Sequence, residues 1–155
     1  MHERMRFRIE FVAKDAEEEI VVRCHSLDEN IKRQCAAIEG LLDDTPAIIY
    51  HKADQEFYLP GKEILFFETD GEIVHAHTAG DMFRVNYRLY QLEEILPPAF
   101  MRISKSTVAN TAQILSLCKT ISTSVSVQFF HTHKHVYVSR FYLKALKEKL
   151  SQRSR

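Results

Sequence analysis

The chain has 155 residues, 45% of them hydrophobic, and a formal net charge of zero, enough to bury the core of one domain or of one domain with a small appended unit. No run nears the ~18 apolar residues of a membrane span and no apolar segment follows the charged start Met1-His2-Glu3-Arg4, so a soluble, cytoplasmic protein is expected. Cys24, Cys35 and Cys118 are odd in number and lack C-x-x-C spacing, which argues against a disulfide frame or zinc ribbon and leaves buried, reduced thiols as the expectation.

The neutral total is a cancellation. Residues 1–100 hold 11 Lys and Arg against 20 Asp and Glu, whereas residues 101–155 hold 10 against 1, the single acid being Glu148. Such asymmetry between the two parts of a chain points to contact with nucleic acid or a membrane surface, through salt-sensitive attraction to phosphates.

In chain order, Arg6 to Val12 alternates with period two and Glu19 to His25 is rich in β-branched residues, which predicts two strands about the acidic turn Asp15 to Glu18. Ser26 with Glu29 reads as a capping box opening a helix whose apolar face is Ile31, Cys35, Ile38 and Leu42. Residues 1–45 are therefore expected to form a β-β-α extension, a unit too small to stand well alone, and a seam falls near Asp43 to Pro46. Beyond it, short strands are expected at Ala47 to His51, Glu56 to Leu59, Ile64 to Glu68, Ile73 to Thr78 and Asp81 to Val85, joined by turns at Pro60-Gly61, Asp70-Gly71 and Ala79-Gly80. A helix over Tyr87 to Leu96 presents Leu89, Leu92 and Leu96, and strands resume at Ile114 to Ile121, Val125 to Phe130 and His135 to Val138. The expected fold class is mainly β, α+β overall, built from antiparallel sheets rather than a doubly wound parallel one.

Two basic, hydroxyl-bearing corners stand out on this framework. After Pro97-Pro98 comes the turn Arg102-Ile103-Ser104-Lys105-Ser106, and Ser139-Arg140 stand at the mouth of a terminal helix. In that helix Arg140, Lys144 and Lys147 share a face while Leu143, Leu146 and Leu150 form a neighbouring stripe. Lys105 can reach guanine O6/N7 and Arg140 can do so bidentately, with serine hydroxyls anchoring phosphates alongside. The plainer alternative is that Arg102 and Arg140 pair with Glu93, Glu94 or Glu68 on the surface. Asn110 reads as structural, bracing the turn after Val108.

From about Ala47 to Leu150 the chain resembles the LytTR DNA-binding domain of bacterial transcription regulators. The resemblance is carried by Ile64-Leu-Phe-Phe-Glu68, by Phe83 with the YRLYQLEEIL helix, by Phe100-Met-Arg-Ile-Ser-Lys-Ser-Thr-Val-Ala-Asn110 with Ile114, and by Val138-Ser139-Arg140. It implies an elongated set of antiparallel sheets whose loops, rather than a recognition helix, enter successive major grooves, at residues 46–150, followed by a basic tail at 151–155. Carried over by position, one base-reading loop falls on Ser104, Lys105 and Ser106 and the second on Ser139, Arg140, Phe141 and Tyr142; Lys144 and Lys147, by their spacing on the helix flank, are expected to contact phosphates. A third contact in the family comes from the hairpin here at Thr69 to Ile73. That turn departs from the pattern, because Thr69-Asp70-Gly71-Glu72 carries two acids that repel phosphates unless Glu72 accepts from a cytosine amino group.

The resemblance implies a sequence-specific regulator of transcription that binds double-stranded DNA at repeated half-sites. The extension resembles that of stand-alone relatives without a receiver domain, being less than half a receiver's length and lacking its β-α repeat, so Asp15, Asp28, Asp43 and Asp44 are poor phosphoacceptors. It is expected to make a homodimer or to dock a regulatory protein, as membrane proteins do in some family systems. The alternative is a non-catalytic sensory or protein-interaction module whose basic half binds RNA or an acidic partner. No small-molecule substrate, cofactor or enzymatic activity is expected, since the chain has no G-x-S-x-G, Walker loop or H-E-x-x-H. His131, His133 and His135 alternate and could in principle join Cys118 on zinc, but Thr132, His133 and Lys134 read better as a turn. Glu93 and Glu94 diverge on a helix and read as a solvated face.

Overall fold

The computed structural model describes residues 5–42 and 47–153. The charged start at residues 1–4, the seam at 43–46 and the end of the tail at 154–155 lie outside the described residues. The chain divides into two compact units, residues 1–42 and 43–155.

In the first unit, helix α1 runs over Glu29–Leu42. The Asp28 carboxylate accepts from the Ile31 N–H at 2.8 Å, so Asp28, and not Ser26, caps the helix, satisfying one of the free N–H groups of the first turn. The two expected strands are absent. Among the described residues, neither Arg6 to Val12 nor Glu19 to His25 carries a strand ladder, and the backbone bond recorded between them is a turn from Ala16 N–H to Ala13 C=O. Alternation gives a segment two unlike faces, but it does not supply the neighbour that a strand needs.

The second unit is a seven-stranded antiparallel sheet and a three-stranded one. The larger holds β1 (Tyr50–Lys52), β2 (Gln55–Phe57), β3 (Phe66–Asp70), β4 (Ile73–His77), β5 (Met82–Val85), β6 (Phe100–Ser104) and β7 (Thr107–Asn110), in the order β2-β1-β5-β4-β3-β7-β6. Helix α2, Leu89–Ile95, separates β5 from β6. The smaller holds β8 (Ile114–Lys119), β9 (Val125–Phe129) and β10 (His135–Val138), in the order β10-β9-β8, and helix α3 follows at Arg140–Gln152. The mainly β, antiparallel expectation holds.

Why Ile64-Leu-Phe-Phe is a continuous apolar run follows from its two-sided burial. Ile64 and Phe67 enter one core cluster with Val74, Phe83, Leu89 and Leu92, whereas Leu65 and Phe66 enter another with Ile103, Val127, Phe129 and Leu146. Within β3 the successive Phe66 and Phe67 leave on opposite faces, and Ile64 and Leu65, in the segment leading into the strand, divide between the same two clusters, so the run is apolar throughout. The Leu89, Leu92 and Leu96 stripe is buried as its spacing predicts.

Two further expectations are corrected. Cys24 and Cys118 are exposed and Cys35 half-buried, so the thiols are not core residues. The stretch Arg102 to Ser104 is strand β6, whose partner β7 lies beyond a tight turn at Lys105-Ser106. The sequence pattern hid this hairpin because its turn lacks Gly, Pro or Asn. Residues 131–134 of the HTHKH segment form the turn leading into β10 at His135, with His131 in the left-handed region at φ 62.

Candidate nucleic-acid interface

The site is built on backbone. Where β6 ends, the Ile103 carbonyl accepts from the Ser139 N–H at 2.9 Å, and where the β6–β7 turn closes, the Ser106 carbonyl accepts from the Thr69 N–H at 2.9 Å. Three chain corners are thereby gathered at one place: the Lys105-Ser106 turn, the β10–α3 junction at Ser139-Arg140, and the β3–β4 turn at Asp70 to Glu72. Each corner projects from a strand anchored in the core, Ile103 and Val138 being buried.

The Lys105-Ser106 turn is held from inside by Arg102. Its guanidinium donates to the Lys105 carbonyl at 2.5 Å and to the Glu93 carboxylate at 3.3 Å. The surface-pairing alternative is therefore correct for Arg102 and identifies it as a brace. Ser104 Oγ accepts from the Ser106 N–H at 3.2 Å and lies 3.3 Å from Ser106 Oγ, which in turn lies 3.5 Å from Thr107 Oγ1. These hydroxyls first shape the turn, and the half-buried Ser104 and Ser106 retain capacity for an outside partner. With its carbonyl pinned, Lys105 extends an exposed ammonium that makes no ion pair among the described residues.

At the second corner, Ser139 is the N-cap of α3 with φ −78 and ψ 155, and its hydroxyl caps no helical N–H. The Tyr142 N–H of the first turn donates to the Ser139 carbonyl at 3.1 Å, whereas among the described residues the Arg140 and Phe141 N–H groups and the Ser139 hydroxyl have no recorded partner, an arrangement that favours anions. Arg140, Lys144 and Lys147 are exposed on α3 and, among the described residues, none has an ion-pair partner. Leu146 is fully buried and Leu143 and Leu150 pack against the second core cluster, which fixes the face the cations occupy. Phe141 and Tyr142, adjacent in sequence, differ in setting. Phe141 is 85% exposed, whereas Tyr142 packs against the core and meets Phe141 edge-on at 4.9 Å.

The third corner retains its acids in the open. Asp70 and Glu72 are exposed, Gly71 takes the left-handed φ of 65 that the tight turn demands, and Thr69 Oγ1 donates to the Gly71 carbonyl at 2.9 Å. Behind the corners, Asn110 is 3% exposed, donates to the Ile64 carbonyl at 2.9 Å and accepts from the Ala112 N–H at 3.1 Å, the bracing role its position suggests.

One group of residues had escaped the sequence reading. Ser122, Thr123 and Ser124, in the β8–β9 turn, line a shallow depression with Ser139, Arg140 and Leu143. Thr123 sits at φ 67, in the left-handed region that a β-branched residue seldom adopts. The hydroxyl-rich run Thr120-Ile-Ser-Thr-Ser124 was the available signal, since such a run at a hairpin tip beside an arginine is a plausible set of phosphate ligands.

The family described as "LytTr DNA-binding domain" matches residues 54–151. A protein of Staphylococcus aureus strain NCTC 8325 described as an uncharacterised HTH-type transcriptional regulator is 28% identical over 148 residues, covering 95% of this chain and 99% of that protein. A similarly described protein of strain MRSA252 is 27% identical over the same length and coverage. Among solved structures, the LytTr DNA-binding domain of a Bacillus cereus protein described as a methyl-accepting/DNA response regulator superposes with a TM-score of 0.60 at 18% identity, covering 68% of this chain and 97% of that one. Among the described residues of this chain, α2 and α3 are separated by five strands, so these two helices do not form a helix-turn-helix pair. No helix among the described residues is long and apolar enough to cross a membrane.

Proposed function

The chain belongs to the LytTR DNA-binding domain family, and from that premise we propose that it regulates transcription by reading repeated half-sites in double-stranded DNA through the corners just described. The observation that carries the reading is the Ser139 N–H to Ile103 carbonyl bond, which holds Lys105 and Arg140, two cations without an ion-pair partner among the described residues, on neighbouring corners of one anchored framework. Cations without protein partners are available for phosphates and base edges, and backbone fixation limits the entropy lost when they engage.

In this reading Lys105 and Arg140 contact base edges, Ser104, Ser106 and Ser139 anchor phosphates, and exposed Phe141 offers an apolar contact for a thymine methyl. Tyr142 acts indirectly, by packing the start of α3. Lys144 and Lys147 supply sequence-independent attraction along the helix flank, and the Ser122 to Ser124 turn adds hydroxyl ligands beside Arg140. The β3–β4 corner, with Asp70 and Glu72, faces away from phosphates or meets a base amino group. Residues 1–45 join two copies, so that engagement of the second half-site becomes intramolecular, and also offer a surface to a regulatory protein.

Band-shift titration of the full chain against duplex DNA from upstream of its own gene, and against single-stranded RNA, tests the proposal. Salt-sensitive binding with preference for one duplex sequence is the expected result. Preference for the RNA, or indifference to duplex sequence, would overturn it.

A further inference from the structure

We infer that Arg6 to Val12 is an interface strand that pairs antiparallel with the same segment of a second copy, about a two-fold axis through Ile9. The inference rests on the dimer element of the proposed function and is independent of how DNA is read.

The structure leaves this segment in a condition that a single chain does not explain. Phe7 is 90% exposed, Ile9 70% and Phe11 98%, three large apolar side chains at alternate positions, and no ladder hydrogen bond is recorded for the segment among the described residues. Between them Arg8 and Glu10 make a 2.7 Å ion pair with both side chains well exposed, which puts the two charges on one side of the segment. One side is thus apolar and the other charged, the alternation of a strand that has an apolar face to cover. Exposed alternating segments of this kind are templates for pairing with another chain.

Charge and shape select the partner. When the segment meets its own copy antiparallel with Ile9 opposite Ile9, Phe7 falls opposite Phe11 and Arg8 falls opposite Glu10, twice over by symmetry. The inner pairs are then apolar with apolar on one side and opposite in sign on the other, with Arg6 opposite Val12 at the ends. Other registers fail. Sliding by one residue sets Phe7 against Glu10, or Phe11 against Arg8, and mixes the two faces. Sliding by two sets Arg8 against Arg8 or Glu10 against Glu10 at the axis, where like charges directly opposite destabilise. Within a two-residue slide, the Ile9-centred register alone pairs Arg with Glu without also setting like charges opposite, which matches the segment to a second copy. A two-stranded ribbon is marginal, so Glu19 to His25, with Ile20 59% and Val21 61% exposed, supplies the outer strands of the joint sheet.

Mass measurement by light scattering on the full chain, as a dilution series, tests the register. Wild type is expected to be a dimer. Arg8→Glu alone and Glu10→Arg alone each replace two attractions by two repulsions and should raise the dimer dissociation constant about tenfold or more. An equimolar mixture of these two variants should regain the dimer, because each is repulsive with itself and complementary to the other. That last result separates pairing between chains from the internal Arg8 to Glu10 ion pair, which both single variants lose and mixing cannot restore. A monomeric wild type, unchanged mass of the single variants, or failure of the mixture to recover the dimer would each overturn the inference. Binding of every variant to a mixed-sequence duplex at low salt is measured in parallel. It should persist, so that loss of the dimer is distinguishable from failure of the DNA-binding reading.

Discussion

Ser139 donates its backbone N–H to the Ile103 carbonyl at 2.9 Å, and this bond sets the separation of the two basic corners, one residue before Ser104 and one before Arg140. Ser139 has φ −78, within the range proline accepts, and the preceding Val138 is already in a strand, as a residue before proline prefers. Ser139→Pro therefore suits the local backbone while removing the donor and setting ring atoms against Ile103. The variant keeps Lys105 and Arg140. It should lose about 1–3 kcal/mol of stability for the orphaned carbonyl, and its preference for the specific duplex over a mixed-sequence one should fall by about tenfold, with non-specific affinity nearly intact. Retained preference in a competition band shift would show that the spacing of the corners is not what reads sequence.

Substitution of the cations themselves separates base reading from phosphate attraction. Lys105→Ala or Arg140→Ala should each cost about 1–3 kcal/mol on the specific site and relax preference at one or two base pairs, whereas Lys144→Ala and Lys147→Ala should weaken all sequences alike and lower the salt slope by about one. Selection from a randomised duplex pool, together with titrations across salt concentrations, measures both quantities. Uniform weakening by Lys105→Ala would reassign that residue to phosphate.

The brace behind the turn has a different signature. Asn110 is buried and uses both ends of its amide, on the Ile64 carbonyl and the Ala112 N–H. Asn110→Ala strands both backbone groups and leaves a small void, so about 2–4 kcal/mol of unfolding free energy should be lost in urea melts. Asn110→Asp keeps the acceptor but sets a buried carboxylate against the Ile64 carbonyl, and at neutral pH should be at least as destabilising as Asn110→Ala. Equal stability of all three proteins would mean that water replaces the amide.

Such particulars show which parts of the molecule were legible in advance. Periodicity exposed α2 and α3, since Leu89, Leu92 and Leu146 are buried at the spacing their sequence suggests, and alternation exposed β4 and β5, where Val74, Ala76, Phe83 and Val85 point inward. Lys105 and Arg140 were visible as cations in an acid-poor stretch. The β6–β7 hairpin was not, because Lys105-Ser106 lacks the residues that announce tight turns. Arg102 was ambiguous for another reason: its Glu93 partner lies on α2, and only the fold brings a helix residue nine positions away to within 3.3 Å of the guanidinium. The Ser139 to Ile103 bond joins backbone groups, so no side-chain pattern could have encoded it. At the N-terminus the error ran the other way. Arg6 to Val12 has the pattern of a strand without a partner among the described residues of its own chain, and pattern alone does not count partners.

A last prediction concerns acid. His77 is half-buried, stacks on Phe66 at 4.4 Å, and sits 3.3 Å from the Lys134 ammonium, which also donates to the Asp81 carbonyl at 2.6 Å. Burial, and then the nearby Lys134 and His75, hold the His77 imidazole down from the usual 6.5 to about 4. The folded protein therefore keeps His77 neutral where the unfolded chain protonates it. Between the two values the unfolded state binds more protons, so the contribution to stability is fully present above about pH 6.5 and is lost as pH falls toward 4. After discounting for the solvent that still reaches the ring, the loss should be about 1–2 kcal/mol. Because Lys134 belongs to the β9–β10 turn and His77 to β4, the strain of acidification falls between the two sheets of the second unit. His77→Gln has no titrating ring and should flatten the pH dependence over this window, whatever it does to stability at neutral pH. Urea melts of both proteins at pH 7.5, 6, 5 and 4.5 compare the slopes; a variant as acid-sensitive as wild type would place the titrating group elsewhere.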